Sequence, residues 1–227
     1  MESPTYNDMT ASVWRSTDLS LGQATHFPRG FSSFFVARYV QGMTAERLSV
    51  EEYLAQEEHS QERHEYVAGE VFAMVGTTPL HNQISLNVAS ALRAALKGGP
   101  CRVFMSDVKL HVSNADAFYY PDVFVACGAA NPNKEAKLAV DAQLVIEVLS
   151  EGTSAYDRGD KLHAYRKLPS LQEYVLISQE LRRVELYRRG PDVGWTFLTF
   201  ERDEVVQLIS INLELSLSTV YEDTDVP

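Results

Sequence analysis

The stretch that most constrains the fold of this chain is Leu144-Val145-Ile146-Glu147-Val148-Leu149, apolar at every position but one. A run without alternation is the pattern of a strand buried on both faces, in a sheet covered by helices. Glu147 sits inside it. An ionised carboxylate in such surroundings costs several kcal/mol unless something compensates it. Compensation could come from an open strand end, from a structural arginine or from a cation. Asp122, in Tyr119-Tyr120-Pro121-Asp122-Val123-Phe124-Val125, poses the same question. Two acids on adjacent buried strands suggest one shared cation.

The flanking sequence supplies the elements that such a strand needs. Ser49 with Glu52 three residues on has the form of a capping box opening a helix, with Leu48 and Tyr53 placed as a staple. His64–Val67 and Glu70–Val75, around Ala68-Gly69, read as a hairpin. Thr78-Pro79 offers an N-cap and a first-turn proline, and Ile84, Val88, Leu92, Ala95 and Leu96 recur at helical spacing up to Gly98-Gly99. Three strands follow, at 101–112, 118–127 and 143–149. Ser154 with Asp157 opens a second helix that must stop before Pro169. Further strands are expected at Glu173–Ser178, Arg183–Arg189 and Trp195–Phe200. The order helix, three strands, helix, strand, preceded by a helix and a hairpin, predicts an α/β fold with a mixed sheet covered by helices.

This organisation implies one folded unit over 43–218. An irregular extension, 1–42, precedes it, with a single apolar patch at Phe31–Val40, and an acidic tail, 219–227, follows. Met43 is a candidate translation start. There is no twenty-residue apolar run and no charged segment leading into a short apolar one, so neither a membrane span nor a secretory signal is expected, and the cytoplasm is the expected compartment. Cys101 and Cys127 lie in apolar segments without C-x-x-C spacing, which predicts reduced core residues.

The net charge of −11 argues against broad adhesion to phosphate backbones. The charge is uneven, however. Residues 201–227 hold seven acids against Arg202 alone, whereas 151–190 hold eight bases and six acids, so a nucleic-acid surface belongs on that later-middle part. The pairs Arg182-Arg183 and Arg188-Arg189 straddle a strand, where they could face a DNA backbone or guard a solvated edge.

Carboxylates with water are the ligands Mg²⁺ prefers, and an ion so bound can activate water and stabilise charge on a phosphodiester. Lys161 shares a helical stripe with Tyr165 and Leu168, the stripe that should face the sheet. A cation there, near the positive end of the helix dipole, calls for carboxylates or a phosphate. The alternative is an exposed lysine paired with Asp157 at i−4. The chain contains no G-x-S-x-G, H-E-x-x-H, P-loop or G-x-G-x-x-G.

Arg63-His64-Glu65-Tyr66-Val67-Ala68-Gly69-Glu70, Tyr120-Pro121-Asp122-Val123, Val145-Ile146-Glu147-Val148-Leu149-Ser150 and Tyr156-Asp157-Arg158-Gly159-Asp160-Lys161 together resemble the Uma-two family of restriction-endonuclease-like proteins, over about Met43 to Trp195. The resemblance implies a restriction-endonuclease-like core of the PD-(D/E)xK superfamily. It implies Asp122 and Glu147 as ligands of Mg²⁺ or Mn²⁺, Lys161 as the catalytic lysine and Glu65, in preference to Glu70, as a further carboxylate. The lysine expected two residues after Glu147 is Leu149, so Lys161 looks like its migrated replacement. The implied activity is metal-dependent endonucleolytic cleavage of nucleic acid, DNA first; a second copy of the chain, in a homodimer, is a candidate partner, and the sequence leaves open whether two chains must pair to cut both strands. A catalytically inactive nuclease-fold module that binds nucleic acid or a protein partner is the alternative. His81, at the start of the first long helix, could contact phosphate or be structural.

Overall fold

The structure is a computed structural model that describes residues 47–74, 76–128, 138–139, 141–192 and 194–227. The extension 1–42, with its apolar patch and Met43, lies outside the described residues. The first helix, α1 (Val50–His59), starts at the expected capping box: Ser49 Oγ accepts from the Glu52 N–H, and the Glu52 carboxylate accepts from the Ser49 N–H. The hairpin β1 (His64–Val67) and β2 (Glu70–Ala73) turns through Ala68 and Gly69, both at positive φ. A side chain at Gly69 would also meet Arg47 at 2.9 Å. Helix α2 (Pro79–Ala95) has Thr78 as N-cap and buries Ile84, Val88 and Leu92, the stripe that its spacing predicts.

Two of the expected strands are corrected. The run 101–112 breaks into β3 (Cys101–Met105) and β4 (Lys109–Val112), and the run 118–127 belongs to β5 (Ala117–Tyr119) and β6 (Val123–Cys127). Each pair separates into two sheets, β2-β1-β5-β4-β7 and β11-β10-β9-β8-β6-β3, where β7 is Leu138–Ala139 and β8 is Ala142–Val148. Pro121 has no N–H for a ladder, so strand pairing is interrupted at Tyr120-Pro121-Asp122 and the chain crosses there from one sheet to the other. Asp122 stands on this crossing.

Within the larger sheet β8 is central, antiparallel to β6 and parallel to β9 (Glu173–Ile177), and flanked further by β10 (Arg183–Arg189) and β11 (Trp195–Glu201). Its alternate residues Leu144, Ile146 and Val148 join the α2-side core. Val145 joins the opposite core with Tyr165, Leu168 and Tyr174. Period-two geometry places Glu147 on the Val145 face, beneath the second helical region. That region, α3, runs as Ser154–Tyr156, a π turn at Asp157–Lys161 and Leu162–Tyr165.

The basic pairs do not guard an edge, because β10 is enclosed between β9 and β11. The last strands, β12 (Val205–Leu208) and β13 (Leu213–Ser216), form a separate hairpin that leads into α4 (Leu217–Val220). In residues 219–227 Tyr221 and Val226 are buried, the Tyr221 hydroxyl lies 2.8 Å from the Ser178 carbonyl, and the Pro227 carbonyl accepts the Arg182 N–H. Cys101 and Cys127 are also corrected. They face each other across β3 and β6 and are joined in a disulfide, a pairing set by register and invisible in a separation of 26 residues. No helix among the described residues is long and apolar enough to cross a membrane.

Candidate active site

Three elements deliver acids to one lysine. Lys161, on the π turn, places its ammonium 3.2 Å from Glu147 Oε1, 2.9 Å from Glu65 Oε1 and 3.6 Å from Asp157 Oδ1. The alternative of an exposed lysine therefore fails, although its i−4 partner Asp157 is present: the Lys161 side chain is only 10% exposed. The contact with Glu65 is an ion pair without hydrogen-bond alignment, so Glu65 Oε1 is buried without a hydrogen bond. Glu70, the other hairpin acid, lies outside the cluster and, among the described residues, forms an ion pair with Arg47 at 3.9 Å.

Glu147 and Asp122 are laced together through the backbone. Glu147 Oε2 accepts the Asp122 N–H at 3.2 Å, and Asp122 Oδ2 accepts the Val148 N–H at 2.7 Å. Glu147 Oε1 also accepts from the buried Tyr165 hydroxyl at 3.0 Å. His81 Nε2 lies 3.2 Å from Asp122 Oδ2. The π turn is held from both sides: the Tyr174 hydroxyl donates to the Asp157 carbonyl, and Arg158 forms a two-pronged ion pair with Glu185 of β10.

The electrostatics follow from an excess of acids in a dry place. Burial, reinforced by Asp122, Asp157 and Glu65 against the opposing pull of Lys161, pushes the Glu147 carboxyl up to about 8. Burial raises Asp157 as well. For Lys161 burial disfavours the charge, but Glu147, Glu65 and Asp157 outweigh it and hold the ammonium well above the ordinary lysine value. His81 is raised too, since the hydrogen bond and charge of Asp122 overcome the effect of burial.

Among the described residues no group of three or more His, Cys, Asp and Glu side chains is arranged to hold a metal ion by itself. The donor chemistry nevertheless suits a hard divalent ion. Mg²⁺ is commonly held by one or two carboxylates plus water and substrate oxygens, and here the acids outnumber the cations while Glu65 Oε1 lacks a hydrogen bond. Of the residues named from sequence, Glu65, Glu147 and Lys161 meet directly, and Asp122 joins through the crossed amides. Asp157 and Tyr165 are further members that sequence reasoning did not assign to the site. Their signal was the spacing of four in Asp157, Lys161 and Tyr165, one stripe of a helix.

The fold and cluster together define a restriction-endonuclease-like α/β protein with a buried carboxylate–lysine centre. Residues 50–219 match the model of the Uma2 family, described as "Putative restriction endonuclease", and the chain belongs to that family. It is 36% identical over 175 residues to the uncharacterized protein slr1290 of Synechocystis sp., covering 77% of this chain and 92% of that one. To sll1609 of the same organism it is 31% identical over 176 residues, covering 77% and 95%. Its fold is similar to the crystal structure of a "putative nuclease belonging to DUF820" from Anabaena variabilis, with a TM-score of 0.64, 21% identity, and coverage of 76% of this chain and 97% of that one.

Proposed function

We propose that this protein is a metal-dependent endonuclease that hydrolyses phosphodiester bonds in DNA, with Asp122 and Glu147 holding Mg²⁺ or Mn²⁺ and Lys161 and Glu65 completing the catalytic group. The observation that carries this reading is the convergence on one buried ammonium of Glu147 and Glu65, from two different sheets, at 3.2 and 2.9 Å. A divalent ion held by Asp122 and Glu147 would supply a water of lowered pKa and neutralise charge on the phosphodiester. Lys161 orients the attacking water and faces the negative charge that develops on the phosphoryl oxygens. Tyr165 and the Asp122 amide fix the two oxygens of Glu147. The burial of Lys161 and Glu147 keeps bulk water from competing for these contacts.

The test is cleavage of single- and double-stranded DNA and RNA with Mg²⁺, Mn²⁺ and chelator. Cleavage of DNA that needs the metal is the expected result, and preferential cleavage of RNA would overturn the choice of substrate. The second reading, a nuclease-fold module without turnover, is favoured by one observation. The guanidiniums first considered for DNA are spent internally: Arg183 on Glu201, Arg188 on Glu173, Arg182 on the Val226 carbonyl and Arg189 on the carbonyls of Leu171 and Leu168. Absence of cleavage with every metal and substrate would establish that reading instead.

A further inference from the structure

Asp122 lies on the crossing between β5 and β6, before the first residue of its strand, so ladder pairing does not immobilise it. Its side chain is held by other means. Oδ2 receives the Val148 N–H at 2.7 Å and forms an ion pair with His81 Nε2 at 3.2 Å. Oδ1 takes no hydrogen bond from a described residue. The carboxylate is therefore tethered through one oxygen and presents the other.

His81 is itself firmly placed. Its N–H donates to the N-cap Thr78 Oγ1 at 3.1 Å, and its carbonyl accepts from Ser85 Oγ at 2.9 Å. The Thr78 hydroxyl donates to Gln179 Oε1 at 3.1 Å, and Gln179 Nε2 donates to the Leu149 carbonyl at 2.7 Å. The first turn of α2 is thus tied to the same end of β8 that carries Glu147. With its side chain only 9% exposed, His81 is poorly placed to meet a phosphate and well placed to hold a carboxylate.

We infer that His81 is a positioning residue that clamps Asp122 through Oδ2, so that Oδ1 is the oxygen offered to the divalent ion. This rests on the metal-dependent reading of the site. Hydrogen bonds from groups behind a ligating carboxylate commonly alter metal affinity 10–100-fold when removed. His81→Gln keeps an N–H donor at similar reach, whereas His81→Ala removes it.

The experiment is calorimetric titration of the full chain with Mn²⁺, alongside thermal melting and cleavage kinetics on double-stranded DNA. The expected result is Mn²⁺ affinity lowered about 10–100-fold in His81→Ala, mostly recovered in His81→Gln, with kcat reduced at unchanged metal concentration and KM for DNA little moved. His81→Leu, which preserves buried volume without a donor, serves in place of alanine if the alanine variant is not folded. Mn²⁺ affinity in the donor-less variant within about twofold of wild type overturns the inference while leaving the metal reading intact. So does His81→Gln binding as weakly as the donor-less variant. Wild-type protein that takes up no Mn²⁺ overturns both.

Discussion

Glu147 and Glu173 lie on neighbouring parallel strands and are almost equally inaccessible, at 3% and 0% exposure, yet their surroundings differ in kind. The register sets Glu173 opposite Leu144 and Glu147 opposite Leu176, so the two acids occupy opposite ends of the pair. Glu173 is fully answered. Arg188 Nε donates to it at 2.8 Å, the N–H groups of Ile209 and Ser210 at 3.3 and 2.9 Å, and the Ser210 hydroxyl completes the set, anchoring the turn between β12 and β13. Glu147 has one ammonium, one hydroxyl and one amide, and shares that ammonium with Glu65 and Asp157. The partners of Glu173 are complete, whereas Glu147 is left in an excess of acids, the environment in which functional carboxylates are often found.

The sharpest way to break this contrast is Lys161→Ala. If Lys161 acts chiefly in the transition state, the cleavage rate should fall by about 10²–10³ with little loss of DNA affinity. Separate measurement of kcat and KM checks it, and equal rates would remove Lys161 from the reaction.

The next effect lies at the other glutamate. Glu173→Ala strands Arg188 and two backbone amides, and should cost roughly 3 kcal/mol, the low end for a broken buried pair because Arg188 is itself 21% exposed. Urea unfolding measures it. Glu147→Gln in metal-free buffer should instead change stability by no more than about 1 kcal/mol, and in the stabilising direction. A large loss there would make Glu147 another structural acid.

The pH dependence sharpens the same point. With Glu147 raised from an ordinary value of 4.5 to about 8, the folded state binds more protons than the unfolded state between these pH values. In chelator, the Glu147 contribution to stability should therefore decline as pH rises from about 4.5 to 8, and melting temperatures of Glu147→Gln should decline less over that range. Because a metal ion competes with that proton, Mn²⁺ affinity should increase over the same interval. The smallest effect is expected at Arg158→Gln. The Arg158 side chain is 39% exposed but Glu185 is buried, so losing the pair should cost about 1 kcal/mol in unfolding measurements, and because it loosens the π turn it should lower kcat as well.

Much of this architecture could be read locally, because caps, turns and periodicity act over a few residues. Ser49 with Glu52, Thr78-Pro79 and the Ala68-Gly69 turn lie where short-range chemistry puts them. The apolar run around Glu147 is a central strand, since no other placement removes so continuous a set of side chains from water. The division of two long apolar runs between two sheets was not legible, because an apolar residue is equally content on either side of a crossing. Only Pro121 hinted at the break.

What the sequence determined by itself was the existence of β8, the burial of Glu147 within it and the family resemblance that singled out Asp122, Lys161 and Glu65. Tertiary structure decided the rest. Which acid receives Lys161, which receives Arg188, and that Cys127 meets Cys101 all depend on register and on the approach of segments far apart in the chain. Electrostatic pairing falls off over a few ångströms, and sequence separation carries no such distance until the sheets have formed.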